Sequence, residues 1–233
     1  MNYLQLQEYL KNEGIKISDE QLTMFSTYSK MLKEWNEKFN LTAITDEEEI
    51  IEKHFLDSLI LGKYVNLSNK KVLDIGTGAG FPGIPLAILF PNANISLSDS
   101  NGKKITFLNE VVKELNLKNV TVIQSRIEDM AKFKDQFDYV TARALKALNI
   151  LIELAIPLCK VHGSLIAYKG PNYVEEIHEA KNALKCLDAH VGDCHQYTLG
   201  ESKDSRAIVL VWKAKPTKHR YPRNYSLIAS KPL

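Results

Sequence analysis

Three glycines at alternate positions, Gly76, Gly78 and Gly80, follow a short apolar run that ends at Ile75 and includes Asp74. Glycines at this spacing let the backbone take positive φ and let a ligand approach the main chain with no Cβ in the way. The stretch from Val72 to Pro85 therefore reads as strand, tight turn and helix, and as a cradle for a nucleotide. Two cofactor classes use such a turn. A dinucleotide site wants G-x-G-x-x-G/A and free amides at the helix N-terminus for a pyrophosphate. In this chain the third glycine comes one position early, Phe81 fills the slot, and Pro82 and Pro85 remove two backbone donors from the first helical turn. An adenosine ligand without phosphates loses nothing by that.

The pattern D-x-G-x-G-x-G resembles motif I of class I S-adenosylmethionine-dependent methyltransferases, against a competing reading as a purely structural turn. Asp99, closing the next apolar run ISLSD, stands near the spacing at which an acid meets ribose hydroxyls. In open α/β sheets ligands bind outside the carboxyl ends of the strands. That rule selects Asp99 after the second strand, Ile127 and Glu128 after the third, and Arg143 after the fourth. Ile127 offers an apolar surface to an adenine face and Glu128 a partner for its amine. A guanidinium cannot act as a general base, but its planar fork suits a phosphate, a carboxylate or the O6 and N7 edge of guanine. Guanine N7 has an in-plane lone pair and no proton to remove, so a site lacking an acid–base pair fits it. The bland alternative for Arg143 is an ion pair. No N/D-P-P-F/Y turn follows the fourth strand, and no cysteine is placed for covalent addition to a pyrimidine. His54 and Asp57, at i and i+3, form either a catalytic pair or a histidine oriented within a packing surface. Lys169, ending the fifth strand, and Lys103 with Lys104 are candidates for phosphate contact or for plain solvation.

These residues need an alternating frame to carry them. From Val72 onward, apolar strand runs near 72–75, 95–97, 120–123, 137–141 and 164–168 alternate with helical patterns near 84–90, 102–116, 146–158 and 173–187. Such alternation predicts a parallel sheet with helices on both faces. Residues 190–198 and 206–212 predict a closing hairpin with residues 200–204 in its loop. Ahead of the sheet lie helical patterns at 2–12, from Ser18 (capping box with Gln21) and from Thr45 (capping box with Glu48). The expected organisation is a helical extension over 1–66, an α/β domain over 67–214 and a basic tail over 215–233.

Hydrophobic content of 45% and charged content of 25% are ordinary for a globular chain. No apolar run spans a bilayer and no signal pattern opens the sequence, so a cytoplasmic protein without membrane contact is expected. The three cysteines show no metal or disulfide spacing and read as reduced, buried thiols, with no metal site. Net charge is +2, yet six Lys and Arg and no acid fall between Lys213 and the end, so the body is acidic and the tail basic. That arrangement fits a polyanion contact or a merely solvated terminus.

Taken together, NLTAI at Asn40, HFLDSL at His54, DIGTGAGFPGIPLAI at Asp74, LSDSNGKKITFL at Leu97, QSRIED at Gln124, TARAL at Thr141, YKG at Tyr168 and the RYPR and KPL segments of the tail resemble the bacterial RsmG family, also called glucose-inhibited division protein B. The resemblance implies a class I methyltransferase, an α/β fold of seven strands, that moves a methyl from S-adenosyl-L-methionine to N7 of one guanine in 16S ribosomal RNA of the small subunit. By residue match it implies cofactor contacts at Gly76, Phe81, Ile127, Glu128 and Arg143; Gly78 and Asp99 join them from the reasoning above, and Arg143 is the expected catalytic residue. Lys169, Arg206, Lys218, Arg220 and Arg223, with Tyr221 and Tyr225 interleaved, are the expected RNA contacts, and the enzyme is expected to act as a monomer. On this reading, deleting the tail weakens RNA binding and spares the cofactor. A nicotinamide-dependent oxidoreductase and a catalytically silent RNA-binding module are the alternatives.

Overall fold

The computed structural model describes residues 1–233. Seven strands form one sheet in the order β3-β2-β1-β4-β5-β7-β6. They are β1 (Lys71–Ile75), β2 (Asn94–Asp99), β3 (Val120–Gln124), β4 (Phe137–Arg143), β5 (Cys159–Lys169), β6 (Ala189–Thr198) and β7 (Ser205–Lys213). The first five run parallel, and β7 pairs antiparallel with both β5 and β6. The strand order reverses between β1 and β4, so the crevice above their carboxyl ends is the expected ligand position. Register brings the ends level: Ile75 pairs with Ser98, Asp99 with Gln124, and Arg143 with Tyr168.

Strand side chains divide between two apolar clusters. Val72, Ile166 and Ile208 face one, Leu73, Leu165 and Val209 the other, as the two-residue period of a strand requires. The first cluster is covered by α1 (Tyr3–Asn12), α2 (Asp19–Phe39), a helical stretch α3 (47–63), α4 (Gly83–Leu89) and α5 (Gly102–Glu114). The second is covered by α6 (Leu148–Ala155), α7 (Tyr173–Glu179) and α8 (Lys181–Cys186). A short α9 (Tyr225–Ser230) ends a segment that runs back along this face.

Local chemistry explains the helix starts. The Ser18 and Gln21 capping box is present, and Asn2 with Gln5 forms a second one. The third helix begins one residue later than the Thr45 and Glu48 pairing predicts: Asp46 is the cap, its carboxylate accepting from the Glu49 amide at 3.0 Å. Within α3, residues Ile50–Leu56 wind as a π-helix. In α2, Phe25, Tyr28 and Leu32 are fully buried; each such side chain contributes about 1.5–3 kcal/mol of transfer free energy, which is what seats α2 on the sheet. Of the cysteines only Cys159 is buried, its thiol pushed up to about 12 by burial; Cys194 is exposed, which corrects the expectation of three buried thiols.

Candidate functional site

The glycine turn is built on Asp74. This fully buried carboxylate accepts from Thr77 Oγ1 (2.6 Å) and the Gly83 amide (2.9 Å) through Oδ2, and from Thr141 Oγ1 (2.8 Å) through Oδ1. It thereby ties the turn, the start of α4 and strand β4 together. Burial pushes its carboxyl up to about 6, against the pull of those three hydrogen bonds. Several other amides of the turn are engaged as well: Thr77 N–H donates to Ser98 O, Gly80 and Phe81 N–H to Thr77 O, and Ile84 N–H to Gly80 O. All three glycines have positive φ. A Cβ on Gly76 would lie 2.6 Å from the Leu145 side chain and one on Gly80 2.6 Å from the Tyr28 hydroxyl, so close packing accounts for both. At Gly78 (φ +63°) the nearest neighbour would be Lys104 Nζ at 3.9 Å, so that glycine opens outward.

Over the turn lies a cavity of about 410 Å³. Gly76, Ser98, Asp99 and Lys104 line one side, Ile127 and Glu128 another, and Leu145, Lys146, Leu154 and Tyr225 the rest. The predicted residues Gly76, Asp99, Ile127 and Glu128 are thus brought together. Asp99 is preset: Oδ2 accepts from the Gly78 amide at 3.0 Å, with Lys104 Nζ at 3.8 Å, and Oδ1 accepts from the Asn101 amide at 2.9 Å. Each carboxylate oxygen keeps a second lone pair for a hydroxyl partner. Glu128 lies 3.7 Å from the exposed Arg126 guanidinium. The chain turns into the cavity wall through Ala144, whose φ of +51° is a conformation few alanines adopt; the turn brings Leu145 beneath Gly76.

Gly78, Phe81 and Arg143 do not line this cavity. Arg143 Nη1 donates to Asp57 Oδ2 (2.9 Å) and to Lys53 O (3.1 Å), its Nη2 meets His54 Nδ1 at 3.1 Å, and the guanidinium lies over the Phe81 ring at 5.2 Å. A guanidinium has no lone pair to offer, so Nδ1 must accept and the His54 proton sits on Nε2, directed at Thr42 Oγ1 2.9 Å away. Burial, with the Arg143 cation second, pulls His54 down to about 3, so it is a neutral acceptor. Its ring stacks on Phe81 with centroids 4.3 Å apart. Asp57 is completed by the Tyr197 hydroxyl at 2.7 Å. Of the two readings of His54 and Asp57, packing prevails, and the orienting group is Arg143 rather than the carboxylate.

Several expected RNA contacts are engaged within the chain. Lys169 is buried and donates to Lys146 O (2.7 Å) and Glu176 Oε2 (2.6 Å), so its ammonium is already paired within the protein. Arg223 is likewise withdrawn: its fork grips buried Glu153, Nε donating to Oε1 at 2.8 Å and Nη2 to Oε2 at 2.7 Å. Arg206 pairs with Asp204 at 2.9 Å. Lys218, 3.1 Å from Asp188, and Arg220, over the Tyr221 ring, remain exposed. The tail is therefore a strap laid on the α6 face, and no sequence signal short of pairing Glu153 with a distant arginine could have revealed it. Tyr225, expected on RNA, lines the cavity instead.

A mixed seven-stranded sheet, parallel over its first five strands, with a switch point over an acid-tipped second strand and a glycine turn, defines a class I methyltransferase fold. Solved structures agree: the M. jannaschii TYW2 complex with AdoMet superposes with a TM-score of 0.57 at 18% identity, covering 73% of this chain and 77% of that one. A SAM-dependent methyltransferase from Aquifex aeolicus gives 0.55 at 21% identity, covering 79% and 98%. At the level of sequence the family model described as GidB, rRNA small subunit methyltransferase G, matches residues 21–204. Proteins named Ribosomal RNA small subunit methyltransferase G are 44% identical in an Exiguobacterium species, over 100% of both chains, and 46% identical in Streptococcus pyogenes, over 96% of both. The chain belongs to the rRNA small subunit methyltransferase G family.

Proposed function

We propose that the chain transfers the methyl group of S-adenosyl-L-methionine to N7 of a guanine in 16S ribosomal RNA. The observation that carries the cofactor half is the engagement of the backbone amides at the start of α4. The amides of Gly80, Phe81, Gly83 and Ile84 are bonded within the protein, so nothing at the start of α4 remains to receive a pyrophosphate. What the cavity does offer is the Asp99 carboxylate for a ribose and apolar side chains, Ile127, Leu145 and Leu154 among them, for a purine to pack against. A nicotinamide dinucleotide is disfavoured by the same fact.

The cofactor supplies an electrophilic methyl carried on a sulfonium. The chain's own task is positioning, which is worth several kcal/mol of barrier when reactants are pre-aligned. Gly78, where a Cβ would meet nothing closer than 3.9 Å, allows close approach to the main chain. Beside it Arg143 and Phe81 lock α3 against the turn, and Arg143 has donors besides the three already engaged with which to hold a substrate edge. The histidine beside Arg143 is not poised as a base, because its Nδ1 is occupied by a donor. A nucleophile that needs no deprotonation, such as guanine N7, matches that site. The exposed Lys218 and Arg220, with Arg126 and Lys146 at the cavity mouth, are cations available to RNA phosphates. The reading extends to a monomer working in the cytoplasm, where its RNA is; no helix is long and apolar enough to cross a membrane.

The test is transfer of labelled methyl to 16S RNA and to small subunits from cells lacking the gene, followed by strand scission at N7-methylguanine. Label at a single guanine is expected. Label on a base nitrogen other than N7, or none in either acceptor, overturns the reading.

A further inference from the structure

Tyr225 stands where two cavities meet. It lines the 410 Å³ cavity over the glycine turn and also a neighbouring one of about 660 Å³ between the strap and residues 126–134. It lies outside residues 21–204, the span of the family pattern, and nothing in that pattern assigns it a role. Three anchors fix it. Arg223 grips buried Glu153 through both Nε and Nη2, and its amide also donates to Glu153 Oε1 at 2.9 Å. Tyr221 is buried against the α6 face. Asn224 caps α9, its side-chain oxygen accepting from the Ser226 amide at 3.0 Å. A buried carboxylate gripped by a planar fork is a rigid joint, because breaking it strands the charge. The Tyr225 ring is thus held in place, with Lys146 Nζ 5.8 Å from its centroid.

Resting on the cofactor reading above, we infer that the strap is part of the cofactor site, with the Tyr225 ring forming the wall on which the adenine of the adenosyl group packs. Ile127 lines the same cavity and offers the base a second apolar contact, and Asp99, also in the lining, is the partner for the sugar. An aromatic ring in the lining suits a purine better than the flexible methionine half, because every base offers a π-face to stack. The basic strap then acts on the cofactor as well as on RNA, contrary to what its composition alone implies.

The experiment is calorimetric titration of the full chain with S-adenosylhomocysteine and, separately, adenosine, for wild type, Tyr225→Ala and Tyr225→Phe. Tyr225→Ala should bind both ligands about tenfold more weakly, within the range for one base–aromatic stack, and Tyr225→Phe should stay within about twofold of wild type. Because linkage is reciprocal, S-adenosylhomocysteine should also slow tryptic cleavage after Lys218 and Arg220 in wild type and much less in Tyr225→Ala. Wild-type affinity for both ligands in Tyr225→Ala overturns the inference and leaves the cofactor reading intact. A wild-type chain that binds neither ligand overturns both.

Discussion

Replacing Arg143 with alanine removes the cation that joins β4 to α3. Its side chain is 13% exposed and that of Asp57 7%, so the pair is nearly dry and solvent screening is slight. Breaking a buried pair by deleting one partner costs about 3–5 kcal/mol, because the other charge is left uncompensated. Here the stranded carboxylate keeps the Tyr197 hydroxyl at 2.7 Å and Arg206 Nε at 3.9 Å. The lower end applies, and a loss of about 3 kcal/mol is expected. Urea unfolding at pH 8, followed by tryptophan fluorescence and by far-ultraviolet circular dichroism, would measure it. A double variant, Arg143→Met with Asp57→Leu, should recover most of the loss, since it removes both charges and keeps apolar volume. In Arg143→Ala the His54 pKa should also rise from its depressed value, readable by NMR, since one of the two forces lowering it is gone. A loss below about 1 kcal/mol, the level of an exposed pair, would refute the buried-latch reasoning.

Other consequences are simpler to state. Asp99→Ala should weaken S-adenosylhomocysteine binding by about 5- to 150-fold, the scale of a lost charge-assisted bond; unchanged affinity in calorimetry would put the ribose elsewhere. His54 is neutral in the fold down to about pH 3 but titrates near 6.5 when unfolded, so the unfolded chain binds the extra proton and stability falls as pH drops from about 6.5 toward 3. Asp74, raised to about 6, acts oppositely, its burial cost vanishing as it protonates; the wild-type minus His54→Gln difference in unfolding free energy isolates the histidine and should shrink below pH 6.5. Lys169→Ala should lower the melting temperature and leave the salt dependence of RNA binding unchanged. Removing Lys218 and Arg220 together should reduce that salt slope by about two if they meet phosphates, with a titration at several potassium concentrations as the check.

The frame was legible because periodicity reports on burial. Strand runs such as Val72–Ile75 and helical runs such as Phe25, Tyr28 and Leu32 are local patterns, and all seven strands and the sheet-covering helices fall where those patterns predict. Gly76, Asp99, Ile127 and Glu128 were legible for a related reason: strand ends in a parallel sheet share one rim, so sequence position gives spatial position. Arg143 also sits on that rim, but its direction depends on Asp57 and His54 on another element, which spacing cannot reveal. The seating of the strap was not legible, because composition counts charges without their partners. Arg223 and Lys213 look like tail cations, yet Arg223 answers Glu153, and Lys213 is buried against Asp135 and Cys159 O.

The order of strands also bears on how the chain reaches this state. β1 and β2 are neighbours in sequence and space, but Thr141, which completes Asp74, lies on β4, beyond β2, β3 and their connections. Closing so long a loop costs entropy before any contact repays it, and pairings distant in sequence generally form slowly. Until β4 docks, Asp74 lacks one of its three partners, and a half-assembled sheet carries a desolvating acid at its centre. The central acid is thus completed only when a pairing distant in sequence has closed.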